Sequence, residues 1–140
     1  MKLLLLIEDD PMDQMIFKDC YEESGILPRL HIISDGEQAL DFIMGTGQHK
    51  GRIRPDFVFL DINLPKISGL EILRRIKNCD DRSVHSTPVA ILSGSDAKCD
   101  IDEAYDLNAN CFIHKGRAFK KGGDFLKSFD TFWFECGLTS

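Results

Sequence analysis

The sequence has no long apolar run. The longest is the five residues Leu3–Ile7, which stop at three adjacent acids, Glu8, Asp9 and Asp10. A membrane span needs about 20 apolar residues, and five are too few even for the core of a signal peptide. Cysteine lacks pattern: Cys20, Cys79, Cys99, Cys111 and Cys136 are odd in number, far apart and without a CxxC pair. Neither a zinc site nor a disulfide framework is indicated, and reduced thiols fit a cytoplasmic protein. Positive charge is in deficit, with 17 Lys and Arg against 23 Asp and Glu and a net charge of −6. That argues against nucleic acid as a partner, because phosphate backbones are bound by clustered Lys and Arg. Repeats and low-complexity linkers are absent too. What remains is a 140-residue chain, 43% hydrophobic and 29% charged, the size and composition of one globular domain with a core over about 2–135.

Short apolar runs occur at "KLLLLI" (2–7), "RLHIIS" (29–34), "DFVFL" (56–60), "PVAIL" (88–92) and "CFIH" (111–114). Several are apolar on both alternating faces, as strands of a parallel sheet covered on both sides should be. Helical spacing lies between them, with Met12, Met15, Ile16 and Cys20 in the first stretch and Leu70, Leu73 and Ile76 in the third. Asp10 before Pro11 reads as an N-cap, Ser68–Glu71 as a capping box, and Asp96 as the cap of the fourth helix. Asn108 stands where that helix should end in a left-handed turn, and the last helix is expected over roughly 121–135. Residues 45–55 form the longest expected loop; its His49, Lys50, Arg52 and Arg54 read as a solvated basic hairpin or a docking site for a kinase. Fivefold strand–helix alternation implies a three-layer α/β fold with right-handed crossovers.

Open sheets of this kind bind ligands beyond the carboxyl ends of their strands. The first strand ends at Glu8, Asp9 and Asp10, the third at Asp61, the fourth at Ser93 and the fifth at Lys115. Carboxylates from two strand ends repel in a partly desolvated cleft, and a hard divalent cation such as Mg2+, with its preference for oxygen ligands, relieves that repulsion. The ammonium of Lys115 implies that further negative charge is expected, and a phosphoryl group on Asp61 would supply it. Asp61 would then be a nucleophile forming an acyl phosphate, with Lys115 and the Ser93 hydroxyl on the phosphoryl oxygens. Taken singly, the acids could be a solvated strand end, Lys115 a surface lysine and Ser93 a turn serine.

The motifs "LLIEDDP", "FLDINLPKISGLEIL", "VAILSGSD" and "NANCFIHK" resemble those of response-regulator receiver domains over about residues 2–135. The resemblance implies a flavodoxin-like (βα)5 fold whose parallel five-stranded sheet has the order 2-1-3-4-5. It implies a signalling phospho-acceptor rather than a turnover enzyme, phosphorylated on Asp61 by a sensor histidine kinase. It further implies Asp9 as a direct Mg2+ ligand, Glu8 acting through water, the Asn63 carbonyl as a further ligand, and Ser93 and Lys115 at the phosphoryl group. Phe112 falls at the position of the switch aromatic that moves with Ser93, although plain core packing would also account for it. Asn63 and Ser95 would tune hydrolysis, and Pro65 and Gly69 match the turn after the phosphorylated strand. The loop before Asp56 and the ending "FDTFWFECG" resemble stand-alone regulators partnered with bacterial phytochrome kinases. Gly116 departs from the family, which has proline after the lysine; a trans bond and a reshaped loop are expected there.

Only 25 residues follow Lys115, so the output is expected to be a surface change in the fourth and fifth elements, read by another chain. Onward transfer of the phosphate to a histidine phosphotransfer protein is the alternative. Phe125, Phe129 and Phe132 should face the core, while Trp133 and Phe134 either pack under the tail or form a homodimer or partner interface. An aspartyl phosphatase would place a general acid two residues after its nucleophile, where this chain has Asn63. An FMN binder would need a phosphate loop where Glu8–Asp10 stand. A degenerate receiver serving only as a binding module would have no need of Asp9, Asp61, Ser93 and Lys115 together.

Overall fold

The computed structural model describes residues 2–46 and 53–137; His49, Lys50 and Arg52 of the expected basic loop lie outside them. Strands β1 (Leu3–Ile7), β2 (Arg29–Ile33), β3 (Phe57–Asp61), β4 (Val89–Ser93) and β5 (Cys111–His114) form one parallel sheet in the order β2-β1-β3-β4-β5. The helices are α1 (Pro11–Ser24), α2 (Gly36–Met44), α3 (Gly69–Lys77), the single turn α4 (Arg82–His85), α5 (Lys98–Asp106), α6 (Lys115–Lys120) and α7 (Gly123–Asp130), followed by a π-helical turn, Thr131–Glu135. This is the flavodoxin-like fold expected from the sequence. All five cysteines are free, and among the described residues no helix is long and apolar enough to cross a membrane.

Strand alternation splits the core into two layers, which is why the strands read as continuous apolar runs. Leu5, Ile7, Val58, Leu60, Val89 and Ile91 meet Leu40 and Ile43 of α2, Ile72 and Ile76 of α3 and Ala104 of α5. Their neighbours Leu4, Leu6, Phe57, Phe59, Ala90 and Leu92 meet Phe17 and Cys20 of α1 and Leu126 of α7. The second layer is aromatic: Phe59 lies 5.2 Å from Phe17 and 5.1 Å from Phe129, both edge-on. Burying each such side chain contributes about 1.5–3 kcal/mol.

Local signals fix the helix ends. The Asp10 carboxylate accepts the Met12 N–H at 2.9 Å ahead of Pro11, and the Ser68 hydroxyl accepts the Glu71 N–H at 3.1 Å. Glu71 does not complete the capping box, because both its oxygens bind Arg74 at 2.6 Å. Asn108 takes the left-handed conformation, φ 69°, after α5.

Four expectations fail. Asp96 does not cap α5, whose N-cap is Ala97 without a side-chain bond; Asp96 pairs instead with Arg117 at 3.6 Å. Met12 and Met15 are exposed, because Phe17 seated against Phe59 turns α1 so that Phe17 and Cys20 face inward. The reshaped loop expected after Lys115 is instead helix α6, capped by the His114 ring; the chain turns at Gly122, and α7 with the π turn then covers the span expected for the last helix. Finally, Phe132 is 75% exposed. The π turn shifts the register, so that Trp133 reaches Phe57 at 5.1 Å and Phe134 reaches Phe129 at 5.7 Å while Phe132 is left outside. At Gly116 the chain turns directly into α6, and every peptide bond among the described residues is trans.

Phe59 is fully buried among four other aromatic rings. Phe59→Ala is therefore expected to lower the unfolding free energy by about 3–5 kcal/mol, measured by urea denaturation. A loss under about 1 kcal/mol would contradict this packing.

Candidate functional site

Strand register brings the site together. Ile7 lies opposite Leu60, so Glu8 comes level with Asp61; Ser93 lies opposite His114, one residue before Lys115. All therefore emerge at the carboxyl edge of the sheet. A glycine holds this edge close to α3: a Cβ on Gly69 would stand 2.2 Å from the Asp61 carbonyl oxygen and 2.8 Å from the Ile62 Cα. Only glycine lets α3 begin there, with the Gly69 N–H donating to the Ile62 carbonyl at 3.0 Å.

Carboxylate oxygens of Glu8, Asp9 and Asp61 all lie within 4.8 Å of one another. Glu8 and Asp61 are buried and Asp9 is half-buried. The Lys115 ammonium, its side chain only 12% exposed, stands beside them at 2.6 Å from Glu8 Oε1 and 3.4 Å from Asp61 Oδ1. Burial would lower the proton affinity of Lys115, but its hydrogen bonds to Asp13 and Glu8 and the charge of Asp61 outweigh this and raise it above that of an ordinary lysine. Burial, reinforced by a hydrogen bond with Asp61, pushes Glu8 up from 4.5 to about 7, against the opposing pull of Lys115. An all-oxygen set from two strand ends, more anionic than one ammonium can balance, fits a hard divalent cation in its donor chemistry.

The remaining candidates sit around this cluster or away from it. Ser93 is fully buried, and its Oγ accepts the Ser95 N–H at 3.0 Å. Asn63 is exposed, and its N–H donates to Asp61 Oδ1 at 3.2 Å. Phe112 is half-buried against the layer of α2, α3 and α5, and its N–H donates to the Tyr105 hydroxyl at 3.1 Å. Trp133 and Phe134 lie apart from the cluster; Trp133 rests on Phe57, the first residue of β3 and so at the opposite end of the sheet.

One residue of the cluster was not anticipated. Asp13, on the first turn of α1, accepts a hydrogen bond from Lys115 Nζ at 2.8 Å. It occupies the third helical position, where the acid of a capping box normally reaches back to the N-cap N–H. Here Glu8 Oε2 accepts that N–H from Asp10, at 3.3 Å, and Asp13 turns to the lysine. An acid three residues after Asp10 was the available signal.

The sheet order and this acid–lysine cluster define a receiver of two-component signalling. The chain belongs to the response regulator receiver domain family, whose model matches residues 4–122. It is 33% identical over 134 residues to the response regulator Rcp1 of Synechocystis sp., covering 96% of this chain and 90% of that protein. Among solved structures, the phosphorylated cyanobacterial phytochrome response regulator RcpA superposes with a TM-score of 0.86 at 31% identity, covering 98% of this chain and 96% of that one. The Mn2+-bound form of Rcp1 gives a TM-score of 0.85 at 31% identity, covering 100% and 99%.

The raised Glu8 gives a signed pH dependence. Between about pH 4.5 and 7 the folded metal-free chain keeps a proton on Glu8 that the unfolded chain has lost, so this residue makes stability fall as pH rises through that window. In EDTA, Glu8→Gln should match the unaltered chain near pH 4.5 and be the more stable of the two at pH 8. Urea midpoints whose difference does not change with pH would contradict the assignment.

Proposed function

We propose that the chain is a response regulator whose residues from about 2 to 135 act as one receiver unit, accepting a phosphoryl group on Asp61 from the phosphohistidine of a sensor kinase. The observation that carries this reading is the Lys115 ammonium held between Glu8 and Asp61 inside a trio of carboxylates. A carboxylate oxygen of Asp61 attacks phosphorus, the O–P bond forms as the P–N bond breaks, and the electron pair leaves with the imidazole. Asp9 would hold Mg2+ directly, Glu8 through water and Asn63 through its carbonyl. When bound, the metal neutralises charge on the transferring group.

The chain's own residues do the rest. Lys115 turns from Asp61 to a phosphoryl oxygen, and Ser93, whose Oγ already accepts from Ser95, offers its own proton to another. Drawing Ser93 and Lys115 inward reshapes β4 and β5, and Phe112 turns with them. Asn63 and Ser95, both at the mouth of the site, set water access and hence the lifetime of the acyl phosphate. The resemblance to phytochrome response regulators supports a phytochrome-type histidine kinase as donor. Phe132, left exposed beside Trp133 and Phe134, supports a homodimer through the fourth and fifth elements.

Incubation with acetyl phosphate and Mg2+ should add one phosphoryl group by intact mass, and Asp61→Asn should not gain it. An unmodified wild-type mass would reject the reading. In sedimentation velocity with beryllofluoride as phosphoryl mimic a dimer is expected; a strict monomer with and without it would reject the interface.

A further inference from the structure

We infer that Asp13 is a positioning residue for Lys115: by supplying the ammonium with a counter-charge outside the metal-binding trio, it leaves Glu8 and Asp61 available to a divalent cation. The inference rests on the receiver reading and deepens it. Lys115 has three N–H donors, and three carboxylates surround it, Glu8 at 2.6 Å, Asp13 at 2.8 Å and Asp61 at 3.4 Å. Glu8 and Asp61 are also members of the oxygen cluster fit for a metal, whereas Asp13 is not. Two of the three partners are thus contested between lysine and metal, and one is not.

Without Asp13 the ammonium, nearly buried, would have only Glu8 and Asp61 to balance it, and a cation would have to displace it from both. With Asp13 in place, Lys115 can release Glu8 and stay paired, within reach of Asp61. The geometry is built for this. Asp13 is freed from its local capping role because Glu8 takes the Asp10 N–H. The end of α1 is fastened to the start of α7, where a Cβ on Gly123 would stand 2.9 Å from the Glu23 backbone and the Gly123 N–H donates to Glu23 Oε2 at 3.1 Å. Between that clamp and the sheet, α6, which begins with Lys115, packs on α1.

A double-mutant cycle on Mg2+ affinity, titrated calorimetrically without phosphodonor, tests the inference. Asp13→Asn should weaken Mg2+ binding about fivefold, the size expected for groups in direct contact. The same change in a Lys115→Met background should alter affinity less than twofold, and Asp13→Glu should restore it. A nearby negative charge acting only through space would instead weaken binding equally in both backgrounds, which would overturn the inference. So would an unchanged affinity of Asp13→Asn in the unaltered background. Failure of the wild-type chain to bind Mg2+ at all would overturn the receiver reading together with it, so the two failures are distinguishable.

Discussion

The site depends on one constraint: Glu8, Asp9 and Asp61 are held within 4.8 Å of one another at the end of a buried sheet, with a single ammonium beside them. Two carboxylates at such a distance repel by about 3 kcal/mol at an effective dielectric of 20. Lys115 offsets part of this, and the raised proton affinity of Glu8 relieves more by leaving one acid protonated near neutrality. Neither is a complete solution. The cluster keeps an excess of negative charge on oxygen ligands, the donor chemistry that suits a hard divalent cation.

The fold maintains that constraint through backbone geometry. Parallel register sets Glu8 level with Asp61 and puts Ser93 opposite His114, and the register is fixed because slipping any strand by one residue would exchange its two buried faces. Two different layers then cover the sheet, largely aliphatic toward α2, α3 and α5 and rich in aromatic rings toward α1 and α7. The aromatic layer carries the consequence for function. It seats α1 by Phe17 and α7 by Leu126 and Phe129, and these two helices bracket the segment that delivers Lys115.

Much of this was legible in the sequence, and what was not has identifiable causes. The five strands show as apolar runs because both faces are buried, and Glu8, Asp9, Asp61, Ser93 and Lys115 could be placed together because each stands at or just beyond the carboxyl end of a strand. Asp13 escaped because it lies on a helix, and only the path of α6 back over α1 shows what it faces. Met12 and Met15 looked like a core stripe until the seating of Phe17 fixed the rotation of α1. The C-terminal region was the least readable. Gly116 in place of the family's proline suggested a reshaped loop where α6 forms, and no local pattern announces a π turn that exposes Phe132 and buries part of Trp133.

The central claim is that the acids are assembled at a cost which a divalent cation removes. The most direct measurement is the urea unfolding midpoint of the wild-type chain at pH 8, in EDTA and then in Mg2+ at about a hundred times its dissociation constant. The account expects stabilisation of about 2.7 kcal/mol at that ratio, lost in Asp9→Asn. Coincident curves with and without Mg2+, or an equal shift in Asp9→Asn, would contradict it.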